Sequence, residues 1–318
     1  MSDIDNEILK ELQDVKGRLS GVQQALQLQR VQQSMASSKL AQLEMFVEKT
    51  TPMGYMRALE LHLADHCNFS CSGCSHYSPL AEESFADIAE FERDLTRLAE
   101  LNGGYIGEMR LMGGEPLLHP NITPFFEVSR RLFPDSDILL VTNGALLMKQ
   151  DNNFWDAIKQ NRIILSPTKY PTIDWGKIEA YANRFGVQLK YFEQTDKSKK
   201  ESHYYPIDIS GGQPAPASFL RCKMANGICP LLQHGKLYPC SPAANIRHFN
   251  KYFNKSLSIT ELDYLDIYKV GSLSEILNFF ARPVPFCRYC ATTKQRSLGA
   301  FKMGARDINE WILQGDEQ

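Results

Sequence analysis

Cys67, Cys71 and Cys74 put three thiols into the eight residues CNFSCSGC. Thiolates this close together bind soft metals, either zinc or an iron–sulfur cluster. A structural zinc site closes with four ligands. A [4Fe–4S] cluster held by three cysteines instead leaves one iron open to a substrate or cofactor, so the missing fourth ligand is informative. His62 and His66 flank the preceding stretch and are not needed as ligands. Five further cysteines follow at Cys222, Cys229, Cys240, Cys287 and Cys290.

The composition narrows the setting. The 318-residue chain is 43% hydrophobic and 23% charged, with a formal net charge of −2 and a pI near 6.4. That is ordinary for a soluble protein, and it supplies no global basic field for nucleic acid or an anionic membrane. The acidic, amphipathic start MSDIDNEILKELQDV does not resemble a secretory signal, and no apolar run is long enough to span a bilayer. The expected compartment is the cytoplasm, where cysteines serve metals and catalysis more often than disulfides.

The elements that must position these groups follow from periodicity. Residues 1–50 carry apolar residues at Ile8, Leu12, Val15, Leu19, Val22 and Leu26, and the register resumes at Leu40, Leu43 and Val47. This heptad seam reads as a coiled coil that makes a homo-oligomer, or as one long helix folded back on its own domain. TTPMG ends it. Residues 57–195 then alternate strand and helix: ALELHLADH, DIAEFERDLTRLAEL, IGEMRLMGG, ITPFFEVSRRLF, DILLVTNG, FWDAIKQ, RIILSP, DWGKIEAYANRFG and VQLKYFE. Repeated βα units predict a parallel sheet covered by helices. The cysteine loop would then leave the carboxyl edge of the first strand, where such folds bind ligands. Past the charged loop QTDKSKKES, residues 196–318 are expected to form a second, smaller domain that metal helps to hold.

Cys67-x3-Cys71-x2-Cys74 resembles the cluster loop of the radical S-adenosylmethionine (radical SAM) superfamily. MGGEP (Met112 to Pro116) looks like that family's GGEP motif, and TNG (Thr142 to Gly144) ends the third strand as in many members. The resemblance implies an α/β fold, a partial (β/α)6 barrel. It implies S-adenosyl-L-methionine as cofactor on a [4Fe–4S] cluster, and reductive cleavage to a 5′-deoxyadenosyl radical that takes hydrogen from an unreactive C–H bond. Cofactor-binding residues would be Gly113, Gly114, Glu115, Asn143 and Ser166, with Glu115 receiving the cofactor's amino group. The chain departs from the family at Gly73, where many members carry an aromatic residue that meets the adenine. His76 or Tyr77 would have to substitute.

Cys222, Cys240, Cys287 and Cys290 resemble the auxiliary-cluster module called the twitch domain, an abbreviated SPASM domain. A β-hairpin turning at Gly235 would bring Cys222 and Cys240 together, and CRYC would close the site. Spacing alone favours a structural zinc. Beside a radical SAM core, the resemblance implies a second, fully ligated [4Fe–4S] cluster suited to electron transfer. Among family members the cysteine spacing is most similar to that of an aminocyclitol dehydrogenase.

Cys229 is left over. It is either a buried small hydrophobe or the hydrogen-atom donor that an epimerase requires. The implied activity is oxidation or epimerisation at a carbinol carbon of a polar small molecule, a sugar or aminocyclitol. The second possibility is modification of a ribosomal peptide, but such enzymes often carry a winged-helix recognition domain where this chain has heptads. An electron donor protein such as a flavodoxin is implied by the family. His203, Tyr204 and Tyr205 are candidates to line a pocket. Arg221 and Arg288, beside the second cysteine group, either serve structure or bind a phosphate or carboxylate or tune the cluster.

Overall fold

A computed structural model of the chain describes residues 3–192, 201–300 and 303–315. It divides into two units, Met1–Glu48 and Lys49–Gln318. The first is built by a single helix, α1 (Asp3–Thr50). Its seam residues, from Ile8 through Leu26 and again at Leu40, Leu43 and Val47, are all exposed. Gly17 and Gly21 do not break the helix. No described helix is long and apolar enough to cross a membrane.

The second unit begins with β1 (Ala58–Ala64), α2 (Ile88–Asn102), β2 (Glu108–Gly113), α3 (Thr123–Leu132), β3 (Asp137–Thr142), α4 (Asn152–Gln160), β4 (Ile164–Pro167) and α5 (Trp175–Phe185). α2 and α4 start at acidic caps. Asp87 accepts from Glu90 N at 2.8 Å, and Asp151 from Phe154 N at 2.9 Å. The chain continues through β5 (Glu201–Tyr204), α6 (Ala215–Arg221), β6 (Leu231–Gln233), β7 (Lys236–Tyr238), α7 (Ser241–Phe253), β8 (Leu265–Asp266), α8 (Leu273–Phe280) and β9 (Arg296–Ala300).

One seven-stranded sheet runs in the order β4-β3-β2-β1-β6-β7-β8. β1 to β4 are mutually parallel, and β6 joins β1 in parallel before turning into the antiparallel β7. The sheet therefore continues from the α/β part into the cysteine-rich part. The expected strand VQLKYFE is only partly a strand. It meets β4 through Leu165 N to Gln188 O, Lys190 N to Leu165 O and Phe192 N to Pro167 O, with a single bridge at Leu189. The expected loop QTDKSKKES lies mostly outside the described residues. Its last two residues, Glu201 and Ser202, are in β5, which pairs antiparallel with β9.

The two faces of the parallel sheet differ. Leu59, Leu61, Leu63, Met109, Leu111, Ile138, Leu140 and Leu165 belong to the main core with the helices. The opposite, inner face carries a smaller apolar group of Met112, Leu139, Val141 and Ile164, with Phe192 against it. Register aligns that face in layers: Glu60 beside Arg110, Arg110 beside Leu139 and Leu139 beside Ile164, with His62 beside Met112 one layer up. Burial on both faces is what a parallel sheet requires.

The β6–β7 hairpin turns at His234 (φ 51°) and Gly235 (φ 68°). Two successive left-handed residues make the tight turn that matches strand twist. Acidic side chains of α2 fasten it: Asp94 accepts from Gly235 N at 2.7 Å and Glu90 pairs with His234 at 2.7 Å.

Candidate functional site

The three-cysteine loop leaves the carboxyl end of β1. The ends of β2, β3 and β4 bring Gly113 to Glu115, Thr142 to Gly144 and Ser166 to the same edge. Each thiol has a hydrogen-bonding neighbour. Phe69 N donates to Cys67 Sγ at 3.3 Å, and Asn143 Nδ2 approaches the same sulfur at 3.7 Å while donating to Asn68 Oδ1 at 2.7 Å. Tyr170 Oη stands 3.4 Å from Cys71 Sγ. His76 hydrogen-bonds to Cys74 and, through Nε2, to Glu60 at 3.3 Å.

Burial pushes the Cys67 thiol well above its usual range, with the Glu115 carboxylate and the other two cysteines adding to the rise. Burial would raise Cys74 too, but His76 holds it below its ordinary value. Burial would lower His76, but Cys74 and Glu60 raise it to about 10. Three cysteines so crowded would ionise together only around a cationic centre, and that donor set fits an iron–sulfur cluster.

The glycines of MGGEP have a first use the sequence does not reveal. A Cβ on Gly113 would come within 2.1 Å of Ala64 O, and one on Gly114 within 2.1 Å of His66 O. Gly114 N donates to Ala64 O at 2.8 Å and Glu115 N to His66 O at 3.1 Å. The pair clamps β2 against the root of the cysteine loop. Glu115 is fully buried, and accepts from Leu117 N at 3.0 Å, Thr142 Oγ1 at 2.6 Å and Asn143 N at 2.8 Å. A carboxylate offers about four acceptor sites, so one on Oε2 remains. Burial, against these three bonds, raises Glu115 to about 7. A buried carboxylate with a vacant acceptor fits the ammonium of an amino acid. Ser166 Oγ is buried with no hydrogen-bond partner among the described residues, which fits a ligand hydroxyl.

His76 and Tyr77, expected to stand in for an aromatic at Gly73, each have other partners. His76 is tied to Glu60 and Cys74, and Tyr77 is buried with its ring 5.7 Å from that of Phe249. The ring that lies on Gly73 belongs to Tyr204, whose Cδ1 would be 2.8 Å from a Cβ there. Tyr205 Oη accepts from Lys223 N at 3.1 Å, and the side chain of His203 lies outside the described residues. The C-terminal segment also crosses the loop, a contact with no signal in the sequence. Met303 pairs with Cys71, Gly304 N donates to Ser70 O at 2.6 Å, and Trp311 Nε1 donates to Cys74 O at 2.9 Å.

The second group draws on three elements. Cys222 ends α6, Cys240 precedes α7, and Cys287 and Cys290 lie in and just after a 3-10 turn over Pro285–Tyr289. Burial raises all four, to about 11 at Cys287, and Cys222 or its partners add to the rise at Cys240, Cys287 and Cys290. Among the described residues no three His, Cys, Asp or Glu side chains stand close enough to share one metal ion. Arg288 donates to Ser258 Oγ at 2.7 Å and Tyr289 Oη at 2.6 Å, a structural role. Arg221 reaches Ala217 O at 3.5 Å.

Cys229 is not brought to the first group. It lies just before β6, and Glu60 is level with Leu231, so Cys229 stands at the amino end of the parallel strands. Cys67 lies beyond their carboxyl end. Arg110 Nη1 approaches Cys229 Sγ at 3.7 Å and also reaches Ile228 O at 3.1 Å and Glu60 at 3.4 Å.

Comparison with known proteins places residues 56–167 in a family described as a 4Fe-4S single cluster domain. The GTP 3′,8-cyclase of Nautilia profundicola is 33% identical over 101 residues, covering 31% of each chain. That of Thermodesulfovibrio yellowstonii is 30% identical over 152 residues, 44% of this chain and 42% of the relative. The chain thus spans under half the length of the curated relatives it matches. Among solved structures, BtrN in complex with AdoMet and 2-DOIA aligns over 76% of this chain and 94% of its own, at 14% identity and a TM-score of 0.45. Streptococcus suis SuiB bound to S-adenosylmethionine aligns over 47% of this chain and 37% of its own, at 15% identity and a TM-score of 0.36. The three-cysteine loop, the clamped GGEP turn and the cluster-domain match lie on one sheet edge and together support a radical SAM enzyme.

Proposed function

We propose that this protein is a radical SAM oxidoreductase that oxidises a carbinol carbon of a polar small molecule, a sugar or aminocyclitol. The observation that carries the reading is the meeting of Cys67, Cys71 and Cys74 with the unsaturated Glu115 carboxylate at one sheet edge. When bound, a [4Fe–4S] cluster and S-adenosylmethionine would supply one-electron cleavage of the sulfonium and a carbon radical that removes hydrogen from a C–H bond.

The chain's own residues do the positioning. Cys67, Cys71 and Cys74 would hold three irons, and Asn143 and Tyr170 would orient their sulfurs by hydrogen bonds. Glu115 would take the cofactor's ammonium, Ser166 Oγ a hydroxyl, and Tyr204, seated on Gly73, would offer an aromatic surface. Cys222, Cys240, Cys287 and Cys290 would hold a second cluster as electron acceptor. The place of Cys229, at the far end of the strands, supports oxidation over an epimerisation that uses its thiol. We assign the protein to the cytoplasm, with a small electron-donor protein as partner and α1 as the oligomerising element.

The test is anaerobic reconstitution with iron, sulfide, dithionite and S-adenosylmethionine. 5′-Deoxyadenosine should form, and a polyol substrate should yield a product lighter by two hydrogens. Absence of 5′-deoxyadenosine would reject the reading.

A further inference from the structure

The inner face of the sheet holds a histidine that the cluster chemistry does not use. His62 lies on β1, two residues before the strand ends at Ala64. Its main-chain partner on β2 is Met112, which belongs to the inner apolar group with Val141 and Ile164. Its side chain is 2% exposed.

One ring nitrogen is accounted for. His62 Nδ1 stands 3.3 Å from Asp65 Oδ1. Asp65 is a fixed carboxylate: Arg247 donates to Oδ2 at 2.9 Å and Gln233 to Oδ1 at 3.3 Å. An ionised carboxylate only accepts, so Nδ1 carries the hydrogen and Nε2 presents a lone pair. That Nε2 is buried and has no hydrogen-bond partner among the described residues. Leaving a buried acceptor unmet is unfavourable, so the position calls for a donor from outside the chain.

The surroundings say what kind of donor. The His76 ring lies 5.1 Å away, centre to centre, and His76 is bonded to Cys74 and Glu60. Glu60 sits one layer below on the same strand, and Arg247 and His248 face Asp65 from α7. These groups balance one another: Glu60 is matched by Arg110 and His76, and Asp65 by Arg247. No uncompensated charge is left for an ion, which favours a neutral donor. Burial lowers His62, so the ring is neutral and able to accept.

We propose that His62 Nε2 binds the hydroxyl of the substrate's reacting carbinol and takes its proton, with Asp65 as the residue that fixes the ring. The inference rests on the oxidoreductase reading above and adds the missing base to it. The step balances. The carbinol carbon loses a hydrogen atom to the radical, the O–H bond breaks with its proton going to Nε2, and the remaining electron passes to an oxidised iron–sulfur cluster. A C=O double bond forms. A general base so placed contributes about 10²- to 10⁴-fold.

The experiment uses the anaerobically reconstituted holoenzyme with 2-deoxy-scyllo-inosamine as probe and GTP as the contrasting ligand. Three forms are compared: wild type, His62→Phe and His62→Gln. Binding is measured by calorimetry, and 5′-deoxyadenosine and product are measured separately. His62→Phe should weaken probe binding by about 5- to 150-fold and leave GTP unaffected. His62→Gln, which keeps an acceptor but no base, should bind the probe within a few-fold of wild type. It should still form 5′-deoxyadenosine but lose product by about 100-fold or more. Product formation near the wild-type rate in His62→Gln, unchanged probe binding in His62→Phe, or failure of the wild type to bind the probe would each overturn the inference. Failure of wild type to form 5′-deoxyadenosine at all would instead reject the underlying reading.

Discussion

The ring of Tyr204 lies directly on Gly73, so that a Cβ at Gly73 would meet Tyr204 Cδ1 at 2.8 Å and Cε1 at 2.9 Å. Gly73 also has a φ of 65°, a conformation that side chains disfavour. Gly73→Ala should therefore cost about 1–3 kcal/mol in urea unfolding. Tyr204→Ala in the same chain should return part of that, because it removes the clash and leaves the backbone strain. Strict additivity of the two substitutions would show that the ring and the loop do not press on each other.

Tyr170 reaches Cys71 with its hydroxyl from the loop after β4. A donor to a ligating sulfur stabilises the electron-rich, reduced cluster. Tyr170→Phe should lower the reduction potential of the core cluster at unchanged iron content, as read by redox titration. A potential equal to wild type would remove this hydroxyl from the site.

Cys229 is held beside Arg110 at the amino end of the strands. Cys229→Ala should leave iron content and 5′-deoxyadenosine yield unchanged. Product run in heavy water should carry no deuterium at the reacting carbon in either form. Deuterium uptake that disappears in Cys229→Ala would restore the epimerase reading.

His248 is lowered to about 4 from 6.5, through burial and then the charge of Arg247. Its Nε2 is buried with no hydrogen-bond partner among the described residues; Asp65 Oδ2 stands 3.7 Å away and is already held by Arg247. A lowered folded value means the unfolded chain binds the proton first. This residue's share of stability is thus whole above pH 6.5 and falls as pH drops toward 4, by about 2–3 kcal/mol. Glu115, raised to about 7, acts in the opposite sense between pH 7 and the usual carboxylate range. His248→Gln should flatten the acid limb of a denaturation series. An unchanged slope would contradict a neutral, buried His248.

Much of this architecture could be read from local signals. The βα alternation, the Asp87 cap, the turn at Gly235 and the Cys67–Cys74 loop all lie within short stretches whose spacing fixes their geometry. Contacts between distant segments could not be read. Tyr204 on Gly73, Tyr170 on Cys71 and Trp311 on Cys74 join residues at least 99 positions apart, and each is an ordinary aromatic in its own neighbourhood. The roles of Gly113 and Gly114 were legible as a motif but not as a cause, because only the structure shows the Ala64 and His66 carbonyls filling the space of a side chain. His62 was passed over for a related reason. Its burial and its unmatched Nε2 depend on Asp65 being held by Arg247, far along the chain.

In the proposed reading, the cube held by Cys67, Cys71 and Cys74 has an open iron that takes the sulfonium cofactor. The most direct measurement is the electron paramagnetic resonance spectrum of the reduced Cys240→Ala/Cys290→Ala protein, which keeps the first cysteine group alone, before and after adding S-adenosylmethionine. About four irons per chain and a cluster signal that shifts on addition are expected. A signal indifferent to the cofactor, or zinc in place of iron, would contradict it.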